Sequence, residues 1–342
     1  MKRGKQRFEQ YLIQIEMLLA QAYESKRPAL WLYENDARTP FFMLEALGRL
    51  YEGMHDEKRF KKIRTWAKEL EDGLGNIDFY DNYLKQFQNN HAIPVTAISY
   101  ISDQLDNSVV NLDRFLLNKK WVGEYPKMTS KIRKNLEKID WKKEKKECLL
   151  ATAKIVVDCD YINEFIAKTR KGFTELEAEV HELRRDIRWL SIYAKSTDGL
   201  IQLADTFEDQ SHLQQFITDE VRQSPFNKMP EVGTLKSIIL LEQNNFYALS
   251  NWIFKLGTLK DKGLSVLVLA EAIEKTEHLD KGQSTKVACN LLNHEDDFID
   301  DILKEASDFT AQMVEEDVLI DLVIGYCQVD TILEEIEEEA NQ

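Results

Sequence analysis

At 342 residues the chain exceeds what one compact core usually holds, so one elongated helical domain with two halves, or two domains, is expected. Hydrophobic residues make up 43% of it, which excludes wholesale disorder, and Gly and Pro together number only 19, about half the usual share, which leaves few turns for a sheet-rich fold. The formal net charge of −15 is unevenly laid: residues 290–342 hold 17 acidic residues against one base, Lys304, while residues 119–146 hold 11 basic against 4 acidic, so a polyanionic partner is not excluded.

In chain order, the N-terminal stretch MKRGKQRFEQYLIQIEMLLAQ places Phe8, Leu12, Ile15, Leu19 and Ala22 at helical steps. Glu9, Gln10, Gln14 and Glu16 interrupt any signal-peptide core. Thr39-Pro40 has the form of an N-cap followed by proline at the first helical position. Phe60, Ile63, Ala67, Leu70 and Leu74 repeat the helical spacing. Breaks are expected near Pro94, over 122–126 and over 224–234, and a capping box of Thr174 with Glu177 after Gly172. No segment alternates as a strand does, so the expected fold class is all-α, about a dozen helices. The expected division is a first helical-bundle half over 1–150 and a second over 151–342, closing in an acidic helical segment, 290–342. Within that segment Val314, Val318, Leu319, Leu322, Val323 and Tyr326 read as one helix with an acidic face, and that face is expected to dock near the basic surface of 119–146. No run of about 18 apolar residues is present, so no membrane span is expected. Cys148, Cys159, Cys289 and Cys327 form no CxxC pair and are expected to be reduced, buried and structural, in a cytoplasmic protein.

Two cationic rows stand out. In LEAEVHELRRDIRWL (176–190), Leu176, Val180, Leu183, Ile187 and Leu190 form a core stripe, and His181, Arg184 and Arg188 stack on a neighbouring stripe. Three such donors in a column suit an anion with several oxygens, because the arginine fork matches phosphate. On the bland alternative, the arginines only answer Glu177 and Asp186 on the surface. From Ser130 as a cap, Lys131, Lys134, Lys138, Lys142 and Lys145 fall along one helix face, a row of about 21 Å at 1.5 Å per residue. A polyanion would relieve their mutual repulsion; the alternative is a solvated lysine face. A third column, Lys61, Arg64 and Lys68, is shorter.

At VHELRRDIRWL the chain resembles the CHAD family, the conserved-histidine α-helical domains, whose hallmark helix reads roughly H-x-x-R-x-x-x-R-x-L; here it is His181, Arg184, Arg188 and Leu190. The resemblance implies two related antiparallel helical-bundle halves around a basic groove that binds inorganic polyphosphate, with His181, Arg184 and Arg188 lining it. It also implies an upstream copy. NDARTPFFML (35–44) is the candidate: Arg38 answers to Arg184 and Leu44 to Leu190, but Asn35 stands in the histidine's place and Phe42 in the second arginine's. LGNIDFYD (74–81) is similar to a further family feature, a leucine-glycine turn followed by an Arg-Asp pair, without the arginine.

Other chemistry is thinner. Asp296, Asp297 and Asp300 make a DDxxD pattern which, on a helix, would put two carboxylates on one face to hold Mg²⁺ and a diphosphate. His55-Asp56 has the form of a phosphohydrolase metal pair but no histidine precedes it, and His91, His212, His278 and His294 are too scattered for a metal site. No Gly-rich phosphate loop and no nucleophile elbow is present. Trp121 and Trp141 flank the basic segment, but core packing accounts for such aromatics better than base stacking, so nucleic acid is disfavoured. The expectation is a non-enzymatic binding module without cofactor or metal. Its ligand would be inorganic polyphosphate or another polyanion, bound by Arg38, His181, Arg184, Arg188, Lys131, Lys134 and Lys138. The rival readings are a helical protein-interaction scaffold and a Mg²⁺-dependent diphosphate enzyme using Asp296, Asp297 and Asp300.

Overall fold

Two long helices, each closed at its start by a carboxylate, organise the molecule. The computed structural model describes residues 2–169, 171–204 and 211–329. The first part runs α1 (Arg3–Tyr23), α2 (Pro28–Glu34), α3 (Arg38–Glu52), α4 (Glu57–Phe87), α5 (Val95–Asn118), α6 (Met128–Leu136) and α7 (Glu144–Lys168). A π-helical turn, Leu176–His181, leads into α8 (Glu182–Ser196), then β1 (Ile201–Ala204), α9 (Asp219–Gln223) and β2 (Ser237–Glu242). The rest is α10 (Gln243–Glu277), α11 (Lys281–Leu291), α12 (Phe298–Glu315) and β3 (Val323–Gln328). Asp56 accepts from the Arg59 amide at the start of α4, and Glu242 from the Asn245 amide at 2.7 Å at the start of α10. These carboxylates satisfy donors that the first turn leaves open and favour the positive helix end.

The apolar stripes of α1 and α4 are buried as their spacing predicts. Buried side chains from Phe8 to Leu322 join in one hydrophobic cluster, and α7 runs through residue 150, the expected boundary between halves. The fold is therefore mostly helical around a shared core. No described helix is long and apolar enough to cross a membrane. Cys148, Cys159 and Cys289 are buried free thiols, and Cys327 is half-buried.

Three expectations are corrected. A small sheet interrupts the helices, in the order β1-β2-β3, with β1 and β2 parallel (Ile201 opposite Ile239) and β2 and β3 antiparallel (Ser237 opposite Gln328), so the protein is not all-α. The segment expected to be an acidic C-terminal helix instead leaves α12 at Glu315, turns at Asp317 with φ of 51°, and pairs as β3, whose side chains alternate inward and outward. Residues 330–342, with the final acidic run, lie outside the described residues. The lysine row is broken: α6 starts at Met128 rather than after Ser130 and ends at Leu136, and 139–143 are not helical. Trp141 causes the break. Its Nε1 donates to the Leu136 carbonyl at 3.0 Å, and its ring packs against Phe8, Tyr51, His55 and Phe60, a tertiary gain that outweighs helix propensity.

Candidate anion-binding cleft

α8 carries the cations because its opposite stripe is committed to the core. Leu176, Val180, Leu183, Ile187 and Leu190 are all buried, which turns His181, Arg184 and Arg188 toward a cleft of about 890 Å³. The entry to the helix differs from the expected capping box. Glu179 accepts from the backbone amides of Thr174 (2.5 Å) and Glu175 (2.9 Å), and the π turn that follows ends on His181, leaving Glu177 exposed at the cleft.

The cleft is walled by α3, α4, α8 and α10. Arg38 enters from α3 and is already held, its Nε 2.8 Å from Glu71 and its Nη1 2.8 Å from Asp78, both on α4. Arg184 and Arg188 enter from α8, and among the described residues neither forms an ion pair. Arg184 donates from Nε to the Ile253 carbonyl at 3.2 Å, and Arg188 lies over the Phe42 ring with Cζ 4.4 Å from its centroid. Asp186, one of the two carboxylates that the alternative reading assigns to them, pairs with Arg49 at 3.4 Å instead. Burial, with Arg184 and Arg38 nearby, pushes the Arg188 guanidinium down to about 10, and burial lowers Arg184 as well. Burial and then the charges of Lys260, Arg185 and Arg184 push His181 down to about 4, so it is a neutral imidazole at neutral pH. Asp261 acts on Arg184 and Glu71 on Arg188 against their lowering without reversing it, and an incoming anion stabilises such half-buried cations further.

The same four residues, Arg38, His181, Arg184 and Arg188, also line an adjoining cleft of about 390 Å³. Its other cations are Arg49, Arg64, Lys68 and Arg185, so Arg64 and Lys68 of the third basic column belong to the site's surroundings. Lys131, Lys134 and Lys138 do not. They are exposed on and just past α6, which Arg133 ties to α1 through Glu9 (2.7 Å) and Glu16, and they line neither cleft. Asp296 and Asp297 precede α12, with Asp297 at its N-cap, so Asp296 and Asp300 share no helical face; Asp296 pairs with Lys286 at 3.3 Å. No group of three or more metal-ligating side chains occurs among the described residues.

Sequence reasoning missed Lys260 and the packing role of Phe42 and two glycines. A Cβ on Gly257 of α10 would lie 2.8 Å from Arg184 Nε, and one on Gly75 of α4 would lie 2.9 Å from Arg38 Nη2. The signal was a Leu-Gly step in each long helix, Leu74-Gly75 and Leu256-Gly257. Gly257→Ala is expected to displace the Arg184 guanidinium and weaken anion affinity about tenfold, the loss of one charge-assisted hydrogen bond. Helix propensity meanwhile favours alanine by about 1 kcal/mol, so the melting temperature should hold or rise. Unchanged affinity in a titration would remove the glycine's role.

Glu45, buried on α3 and lining the second cleft, is pushed up to about 7 by burial, against Lys68. A carboxyl raised above its ordinary 4.5 holds its proton longer when folded, so stability falls as pH rises from 4.5 through 7. His181 acts oppositely: lowered from 6.5 to about 4, it makes stability fall as pH drops through that window. Glu45→Gln should therefore raise the melting temperature at about pH 8 and flatten the alkaline decline, whereas His181→Gln should flatten the acid side. Melting curves of the two variants that parallel wild type at every pH would contradict both assignments.

No known protein family matches this chain, and no curated protein matches it. What defines it is a mostly helical scaffold with a cleft of mixed charge that Arg184 and Arg188 line without an ion pair among the described residues.

Proposed function

We propose that the protein is a diverged CHAD-like module of two related helical-bundle halves that binds a phosphate-rich polyanion, with inorganic polyphosphate as the ligand the resemblance implies, and catalyses nothing. One observation carries it: Arg184 and Arg188 are partly buried, Arg184 lies close enough to lower Arg188, and neither forms an ion pair among the described residues. The halves are supported by Arg38 and Arg184 entering from α3 and α8, each guanidinium against a glycine of a long helix. Phe42, which fills the second arginine's place in the first half, carries the stacked Arg188. The cationic second cleft extends the track for a chain of phosphates.

The test is equilibrium binding of long-chain polyphosphate at rising salt. Three phosphate contacts predict that affinity falls on the order of tenfold to a hundredfold between about 50 and 200 mM salt. Binding that ignores salt, or no binding at low salt, contradicts the proposal.

A further inference from the structure

The larger cleft is not uniformly basic. Four of its five basic side chains, Arg38, Arg184, Arg188 and His181, are shared with the second cleft, and the fifth, Lys260, pairs with Asp261 at 2.6 Å. The lining it does not share includes Asp78, which pairs with Arg38, then Glu177 and the Lys260–Asp261 pair, and Phe79, Tyr80 and Tyr83. Gly75, against which Arg38 lies, Phe79 and Tyr83 step by four along α4 and so share one stripe, about 6 and 12 Å from the arginine end at 1.5 Å per residue. Phe79 is half-buried and lines the cleft, and Tyr83 supports it edge-on at 4.9 Å between centroids. A pure polyanion threaded through this end would meet the exposed Glu177, two carboxylates already paired with Arg38 and Lys260, and an aromatic wall. A ligand with its negative charge at one end, hydroxyls in the middle and a flat ring at the other meets arginines, then acceptors for its hydroxyls, then an aromatic face.

We infer that the larger cleft takes a nucleoside polyphosphate: phosphates on Arg184 and Arg188 and running toward the second cleft, ribose hydroxyls donating to Asp78 or Asp261, and the base against Phe79. This rests on the phosphate-binding reading and narrows its ligand. About 890 Å³ lies within the range of cavities that enclose molecules of this size.

The experiment is calorimetric titration of the full chain with ATP, GTP and inorganic tripolyphosphate, all with metal chelated. The nucleotides are expected to bind about tenfold or more tighter than tripolyphosphate, the usual worth of one base–aromatic stack. Phe79→Ala should remove that advantage while tripolyphosphate affinity, the internal check on folding, stays put. Asp261→Asn should weaken ATP and tighten tripolyphosphate, a pair of opposite signs that a merely structural residue would not give. Equal or tighter tripolyphosphate binding in wild type, or a nucleotide advantage untouched by Phe79→Ala, overturns the inference and leaves phosphate binding standing. Failure of all three probes, or binding indifferent to Arg184→Ala/Arg188→Ala, overturns both.

Discussion

Replacing Arg184 and Arg188 together by alanine is expected to lower affinity for inorganic tripolyphosphate by about a hundredfold to ten-thousandfold, at about 1.5–3 kcal/mol for each charge-assisted hydrogen bond lost and 1.4 kcal/mol per tenfold. The stability change should have the opposite sign from an ordinary core deletion. Arg188 is desolvated beside Arg184 and Arg38, which lowers its pKa to about 10. Removing its charge relieves that repulsion, so Arg188→Met, which keeps apolar contact with Phe42, should melt no lower than wild type while binding anion poorly. Tight binding retained by the double variant, or a lower melting temperature for Arg188→Met, would mean that these arginines hold the fold together rather than receive a ligand.

Arg7→Ala is expected to cost about 3–5 kcal/mol of unfolding free energy, the largest stability effect of any single change considered, because it strands a buried carboxylate. Arg7 and Glu147 are each only 3% exposed and pair at 2.8 Å; Arg7 also donates to the Tyr51 hydroxyl at 2.9 Å and to the Thr197 carbonyl at 2.5 Å, while Tyr51 donates to Glu147. The network ties α1, α3 and α7 to the turn after α8 and so holds the helices behind the cleft. Arg7→Met/Glu147→Leu removes both charges and should unfold at higher urea than either single variant. Additive losses in the double variant would show that the pair is not coupled.

The helical stripes and the cationic column of α8 were legible because both are local. Steps of three and four bring residues together whatever the rest of the chain does. The sheet was not. β2, SIILLE, is buried nearly throughout and shows no alternation, and it runs into α10 without a linker because Glu242 both ends the strand and caps the helix. In β3 the alternation of Val323, Gly325 and Cys327 against Ile324, Tyr326 and Gln328 overlapped apolar residues at helical spacing. The lysine row failed for a tertiary reason: Trp141, docked on residues from α1, α3 and α4, draws its segment out of the helix. Within the site, spacing found His181, Arg184 and Arg188, and the resemblance to a repeat found Arg38. Lys260 and Phe42 meet them only through packing of α10 and α3, and no pattern within one helix reports that.

The most direct test of the arginine pair as an anion receptor is a crystal of the protein soaked in tungstate, a tetrahedral oxyanion whose position anomalous scattering locates. A peak between the Arg184 and Arg188 guanidinium groups, lost in the Arg188→Met crystal, is the predicted result. An empty cleft with tungstate gathered instead at the exposed lysines of α6 would contradict the account.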